Sequence, residues 1–125
     1  MFFHENIFLD TEKNPNFRTE LVTGKHSQVV LMSIEKGQDI GMEVHDVDQI
    51  LIIVDGMGQS VLNGERTNFG KGYLIFVPAG TKHNIINTGT TPLKLFTIYS
   101  PPEHKPGTVH KTKQDAINAE AARED

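Results

Sequence analysis

The sequence predicts an all-β fold, a sandwich or a barrel, in a single domain of 125 residues. Glycine-containing breaks recur at short, fairly regular intervals, and the runs between them are rich in β-branched and aromatic residues. Many short strands separated by turns are typical of sandwiches and barrels rather than of alternating strands and helices.

The individual strands follow from the same breaks. They are predicted near 17–23, 27–35, 40–45, 49–54, 58–62, 65–69, 73–77, 82–87 and 93–100. Asn63 and Gly64 predict a two-residue hairpin turn, because both residue types tolerate positive φ. The run Ile50–Val54 shows no alternation, which indicates a strand buried on both faces. Its outer face would meet the opposing sheet or a second subunit.

The chain is expected to divide into a barrel core and two flanking segments. The core covers residues 17–100, a strand arm covers 1–16, and a tail with a short helix covers 101–125. The proline-rich stretch 100–107 ends the sheet, since proline lacks the N–H donor of a ladder. Thr112 is then a predicted N-cap, and the alanine-rich stretch up to Arg123 favours helix.

Composition excludes several classes of function. The net charge is −4 and the basic residues are scattered, so a nucleic-acid partner is not expected. There is no cysteine, so disulfides and thiolate metal sites are excluded, and imidazole, carboxylate, amide or water must hold any metal. The longest apolar run is far shorter than the ~20 residues that span a bilayer, and the N-terminus does not resemble a signal peptide. A cytoplasmic protein without membrane contact is the expectation.

Two spaced patterns carry the chemical signal. The first comprises Gly37, Glu43, His45, Gln49 and Gly56, and the second comprises Gly72, Pro78, Gly80, His83 and Asn87. Glu43 and His45 are two residues apart on a predicted strand, so they point to the same face. A closed barrel would bring these two side chains, Gln49 and His83 to one interior point. Unpaired polar groups there would each cost a few kcal/mol, and a shared ion resolves that cost.

The second pattern resembles the second conserved motif of the cupin superfamily at every fixed position. The first resembles the first cupin motif at Gly37, His45 and Gly56, but has Glu43 where histidine is usual and Gln49 where glutamate is usual. The resemblance implies a small single-domain cupin, that is, a double-stranded β-helix or jelly-roll barrel. It also implies one divalent metal ion held by Glu43, His45, Gln49 and His83.

The exchanged positions keep the net ligand charge at −1, and the resulting set suits Zn, Mn, Fe or Ni without selecting one. Two histidines, a glutamate and a glutamine resemble the zinc site of phosphomannose isomerases, and glutamine at position 49 is similar to cupins that act on uronate sugars. The implied function is a metal-dependent isomerase or lyase acting on a sugar, a uronate or a keto or hydroxy acid. The alternatives are a non-haem metal dioxygenase and a non-catalytic small-ligand-binding cupin.

Each proposed ligand also has a simpler interpretation. His45 and His83 would then only hydrogen-bond inside the barrel, Gln49 would orient a water molecule, and Glu43 would accept a bond from a basic neighbour. No catalytic residue is assigned, and the candidates for proton transfer are Tyr99, Lys71 and His104.

The two ends of the chain leave further alternatives open. Small cupins are often dimers, so a homodimer is expected. The N-terminal apolar cluster would supply an exchanged edge strand or fold back on its own barrel; it comprises Phe2, Phe3, Ile7, Phe8 and Leu9. His104 and His110 would either close the mouth of the barrel or lie exposed in the tail, and the exposed position is preferred.

Overall fold

Two antiparallel sheets and two short helices make up the computed structural model, which describes residues 2–123. In chain order the elements are α1 (Ile7–Lys13), β1 (Arg18–Thr23), β2 (Gln28–Ile34), β3 (Asp48–Asp55), β4 (Gly58–Leu62), β5 (Glu65–Phe69), β6 (Leu74–Val77), β7 (His83–Asn87), β8 (Leu93–Ser100), β9 (Val109–His110) and α2 (Lys113–Arg123). The larger sheet has the order β6-β3-β8-β2-β1-β9, and the smaller has the order β5-β4-β7. The predicted all-β barrel with a C-terminal helix is confirmed.

The apolar core lies between the two sheets. It draws Val30 and Met32 from β2, Leu51 and Ile53 from β3, and Ile85 from the smaller sheet. The core residues of the larger sheet alternate along their strands, so their neighbours point to the outer face of that sheet.

Helix α1 covers that outer face, and it replaces the strand arm expected for residues 1–16. The Asn6 side chain caps the helix by accepting bonds from the Phe8 and Leu9 amides at 3.1 and 3.2 Å. Ile7 packs against the outer cluster of the sheet, and the Phe8 ring meets Phe96 edge-on at 6.2 Å between centroids. The prediction of an exchanged edge strand is therefore wrong for this segment. Ile7 and Phe8 fold back on the barrel, whereas Phe2 and Leu9 remain exposed. Met1 lies outside the described residues.

Strand β3 is buried on both faces, as the run Ile50–Val54 predicts. Leu51 and Ile53 face the core, while Val54 and the half-buried Ile52 belong to the outer cluster. The outer neighbour of this strand is α1, rather than the opposing sheet.

The segment predicted as a strand at 40–45 is instead irregular. Gly41 has φ +102°, which a regular strand does not adopt, so pairing with β7 is reduced to isolated bridges. These bridges join Asp39 to Ile86 and Glu43 to His83. The segment still closes the edge of the smaller sheet, because the Glu43 and His83 backbones exchange hydrogen bonds of 2.8 and 2.9 Å.

The C-terminal helix begins as predicted. The Asp115 amide donates to Thr112 Oγ1 at 3.1 Å, and the Thr112 amide donates to Asp115 Oδ2 at 3.3 Å, which forms a reciprocal cap. Ala116 of α2 packs into the core. Within residues 2–123 neither helix is long and apolar enough to cross a membrane.

Candidate metal centre

Three of the four predicted ligands meet at one end of the barrel. Glu43 lies on the irregular segment, His45 lies two residues further on, and His83 opens β7. One ligand atom from each of these three side chains lies within 4.8 Å of the other two. The Glu43–His83 bridge fixes two of them side by side, and the His45 and His83 ring centroids are 5.3 Å apart.

The buried acceptor atoms of this cluster lack protein partners. His45 Nε2 and His83 Nε2 are buried and have no hydrogen-bond partner among the described residues, although Glu43 Oε2 lies 3.6 Å from His45 Nε2. His83 Nδ1 donates to the Thr81 carbonyl at 2.8 Å, which leaves the Nε2 lone pair of that ring free. An unsatisfied buried acceptor costs about 1–3 kcal/mol, and a bound cation removes that cost. The donor set therefore fits a divalent metal ion.

Gln49, on strand β3 of the larger sheet, also has a buried acceptor atom without a hydrogen-bond partner among the described residues. It is 2% exposed, and its Nε2 donates to Thr97 Oγ1 at 3.1 Å and to Tyr99 Oη at 3.3 Å. These bonds fix the amide orientation and leave the buried Oε1 without a partner in the described part of the chain. The Tyr99 ring also meets the His45 ring, at 5.8 Å between centroids. The membership of Gln49 in the ligand set stays a prediction.

Burial and neighbouring charges act on the three clustered side chains in different ways. Burial raises the pKa of Glu43, while the charge of His45 acts in the opposite direction. Burial lowers the pKa of His83, so its ring stays neutral, as a metal ligand must be. Burial also lowers the pKa of His45, but the Glu103 hydrogen bond and the Glu43 charge outweigh it, so the pKa of His45 is raised.

The proline-rich tail supplies a contact that the sequence did not indicate. Glu103 Oε2 lies 3.5 Å from His45 Nδ1, on the side of the ring opposite Nε2. The tail is held there by the buried Gln28, whose Oε1 accepts bonds from the Glu103 and His104 amides at 3.2 and 2.9 Å. Gln28 Nε2 also donates to the His104 carbonyl at 2.6 Å.

The tail histidines are partly buried, so the preferred exposed position is wrong. The His104 ring packs against Tyr99 at 5.1 Å between centroids. Burial and then the charge of Arg18 lower the pKa of His104 to about 3, so this ring is neutral at physiological pH. His110 is half-buried and hydrogen-bonds to Arg18.

A cavity of about 540 Å³ opens beside the cluster. Its wall includes Glu43 and His45 from the cluster, Arg18 from β1 and Glu103 from the tail. Helix α2 closes one side of it with several residues, among them Glu120. Lys71, a candidate for proton transfer, lines a different depression.

Comparison with known proteins gives a consistent result. The family model for the cupin domain matches residues 30–99, which is more than half of the chain. The uncharacterized protein YrkC of Bacillus subtilis is 53% identical over 126 residues, covering 94% of this chain and 67% of YrkC. The crystal structure of BH2720 from Bacillus halodurans matches with a TM-score of 0.91 at 45% identity, covering 93% of each chain. The structure of a predicted oxalate decarboxylase from Thermotoga maritima matches with a TM-score of 0.59 at 26% identity, covering 62% of this chain and 69% of that chain.

Proposed function

The chain belongs to the cupin family, and we propose that it is a metal-dependent isomerase or lyase for a small polar substrate. One divalent ion would be held by Glu43, His45, Gln49 and His83. This set of ligands resembles the zinc site of phosphomannose isomerases. The observation that carries the proposal is a group of buried atoms without hydrogen-bond partners in the described chain, beside the desolvated Glu43 carboxylate. These atoms are His45 Nε2, His83 Nε2 and Gln49 Oε1. One carboxylate, two imidazoles and an amide suit Zn, Mn, Fe or Ni.

The cavity supports chemistry on a bound small molecule. A volume of about 540 Å³ accommodates a molecule the size of a monosaccharide. When bound, the ion supplies Lewis acidity towards a substrate carbonyl or hydroxyl oxygen. The structural neighbour named as a predicted oxalate decarboxylase is consistent with a lyase that acts on a small acid.

The side chains near the metal cluster differ in their capacity for proton transfer, and Tyr99 is buried and does not line the cavity. Burial raises the pKa of Tyr99, so its hydroxyl keeps its proton and serves as a hydrogen-bonding group rather than as a base. Glu103 and Glu120 are carboxylates on the cavity wall outside the proposed ligand set, and each can accept a proton from a bound substrate. Lys71 takes no part, because it lies away from this cavity.

Metal content is the direct test of the ligand set. Elemental mass spectrometry on protein purified without a histidine tag is expected to find about one divalent ion per chain. His83→Ala should lose most of the metal, because it removes a buried donor. His26→Ala, which removes an exposed histidine, should retain it. A wild-type protein that is folded yet metal-free, even after incubation with Zn, Mn, Fe or Ni salts, would refute the metal centre.

Turnover is tested on the metal-loaded protein with sugars, uronates, and keto and hydroxy acids. Isomer interconversion is followed by NMR, and elimination by absorbance of the unsaturated product. Turnover that disappears in His83→Ala and persists in His26→Ala is the expected result. A loaded protein that converts none of these classes would leave a non-catalytic binding role as the better description.

A dioxygenase is the second candidate, and one observation favours it. Glu43, His45 and His83 alone form a two-histidine, one-carboxylate set, which is typical of non-haem iron oxygenases. Bound iron together with substrate-dependent oxygen uptake would support this function. Stable zinc content without oxygen consumption would exclude it.

A homodimer is also part of the proposal. The edge strand β6 exposes Leu74 and Phe76, which are 59% and 48% exposed. Apolar side chains on a free strand edge favour pairing with a second copy. Sedimentation equilibrium should give twice the chain mass, and Phe76→Lys should shift the equilibrium to the monomer.

A further inference from the structure

Arg18, the first residue of β1, is a buried cation on the wall of the cavity. It is only 5% exposed, and it lines the same space as Glu43 and His45. Arginine is almost never this buried unless an anion accompanies it. Neither sequence pattern includes Arg18, so the motifs do not account for it.

No carboxylate of the described residues forms a direct ion pair with Arg18, although the charge of Glu43 acts on it at longer range. Its Nη1 lies 3.2 Å from His110 Nδ1, and its Nε is buried without a hydrogen-bond partner in the described chain. A guanidinium only donates, so His110 Nδ1 is the acceptor and carries no proton. A buried guanidinium without a directly paired carboxylate is costly, and an anion bound in the cavity would reduce that cost.

The guanidinium is held in place before any ligand binds. The register of β1 and β9 sets Arg18 opposite His110, whose pKa is lowered by burial and by the Arg18 charge. Arg18 Cζ also lies over the Phe17 ring, 5.3 Å from the ring centroid, in a cation–π contact. A planar fork fixed in this way binds a carboxylate without further loss of side-chain entropy.

The rest of the wall limits the class of anion. Glu103 and Glu120 line the same cavity, and so does Lys113, whose charge is paired with Asp39. Two carboxylates beside a paired lysine disfavour a dianion such as a phosphate ester. The same carboxylates are acceptors for hydroxyl groups. The Arg18 charge also acts on Glu43 and His45, so the guanidinium lies within electrostatic range of the metal cluster.

We propose that Arg18 is an anion subsite and that the substrate is a hydroxylated monocarboxylate, a uronate or a hydroxy acid. Its carboxylate binds the guanidinium, and its hydroxyl or carbonyl groups reach the Glu43–His45–His83 cluster. This inference rests on the proposed function, since it names the substrate class of the same site.

The test compares matched pairs of probes that differ in the carboxylate. Isothermal titration of the zinc-loaded chain with D-glucuronate and D-glucose, and with lactate and lactamide, measures the preference for the charged member. A charge-assisted bidentate contact predicts at least about tenfold tighter binding of the carboxylates. Arg18→Met should abolish this preference and Arg18→Lys should reduce it, because lysine keeps the charge and loses the fork. Arg66→Met, which removes an exposed arginine on β5, should leave the preference unchanged.

The outcomes separate the subsite from the metal centre, because metal content and circular dichroism are measured on the same samples. Folded Arg18→Met that keeps the carboxylate preference overturns the subsite, and so does wild-type protein that binds neither carboxylate at about 10 mM. If Arg18→Met does not fold, an Arg18→Lys variant with undiminished preference overturns it equally. An Arg18-dependent preference in protein that binds no metal would support the subsite and contradict the metal centre.

Discussion

Glu103 is expected to set the metal affinity of His45 although it is not itself a proposed ligand. Its Oε2 lies 3.5 Å from His45 Nδ1. When His45 binds a metal through Nε2, the proton resides on Nδ1, and a carboxylate at this position orients the ring and makes Nε2 a stronger donor. Removing the carboxylate should therefore weaken metal binding without removing any ligand.

The size of the effect follows from the geometry. A hydrogen bond to a charged group contributes about 1.5–3 kcal/mol, and a distance of 3.5 Å with Glu103 at 21% exposure places this bond in the lower half of that range. A loss of about 1.5–2 kcal/mol corresponds to about a 10- to 30-fold weaker metal affinity in Glu103→Ala. Glu103→Gln keeps an acceptor oxygen but not the charge, so its loss should be smaller.

Competition titration with a zinc chelator measures this affinity, and the visible spectrum of the cobalt-substituted protein reports the geometry around the ion. Glu120→Ala is the matched control, because it removes a carboxylate from the same cavity wall. A Glu103→Ala protein that binds zinc within about twofold of wild type, with an unchanged cobalt spectrum, would refute the reasoning.

Two further predictions concern the barrel itself. Gly58→Ala should destabilise the protein by about 3 kcal/mol in urea unfolding, since its Cβ would lie 2.3 Å from the Ile86 carbonyl oxygen and 2.6 Å from Phe69 Cζ. Asp39→Asn should lower the free energy of unfolding at neutral pH by up to about 1 kcal/mol, because Asp39 accepts bonds from Asn84 and Lys113. Those bonds hold the pKa of Asp39 below its ordinary value of 3.8, so this contribution is present above that pH and is lost as the pH falls through the lowered value.

Both predictions have matched controls. Gly70→Ala meets no atom within 4 Å and should change stability by less than about 0.5 kcal/mol. An equal loss in the two glycine variants would contradict the steric explanation. Asp46→Asn alters an exposed loop aspartate and should not reproduce the pH-dependent difference from wild type. A gap between wild type and Asp39→Asn that persists unchanged at pH ~2 would contradict the ion-pair explanation.

The sheet was predictable from the sequence because its turns are encoded locally. The Asn63–Gly64 turn has φ values of +48° and +86°, as the two-residue hairpin between β4 and β5 requires. Helix α1 was missed because seven residues are too few to show a helical period. Its one local signal is the cap residue Asn6. Similarly, Gly41 interrupts a segment whose composition favours a strand.

The site was only partly predictable, because its contacts join distant parts of the chain. The spacing of Glu43, His45 and His83 indicated a shared interior point, and their ligand atoms do meet. Glu103 reaches His45 only because Gln28 holds the tail from 75 residues away. Arg18 is buried against β9, whose residues lie far from it in the sequence, so no local pattern around Arg18 predicts its burial.

Within the two patterns, the residues that shape the turns differ from the residues proposed to hold a metal ion. The pattern glycines at 37, 56, 72 and 80 all have positive φ, between +76° and +97°, so they determine how the chain turns. The proposed ligand side chains at 43, 45, 49 and 83 play no such role, and none of them belongs to the apolar core cluster. The two departures from the usual cupin pattern, Glu43 and Gln49, both fall on donor positions. A chain can therefore match the turn glycines of the family and still differ at the positions proposed to bind a metal. The glycines indicate the fold, whereas the chemistry must be tested at Glu43 and Gln49 themselves.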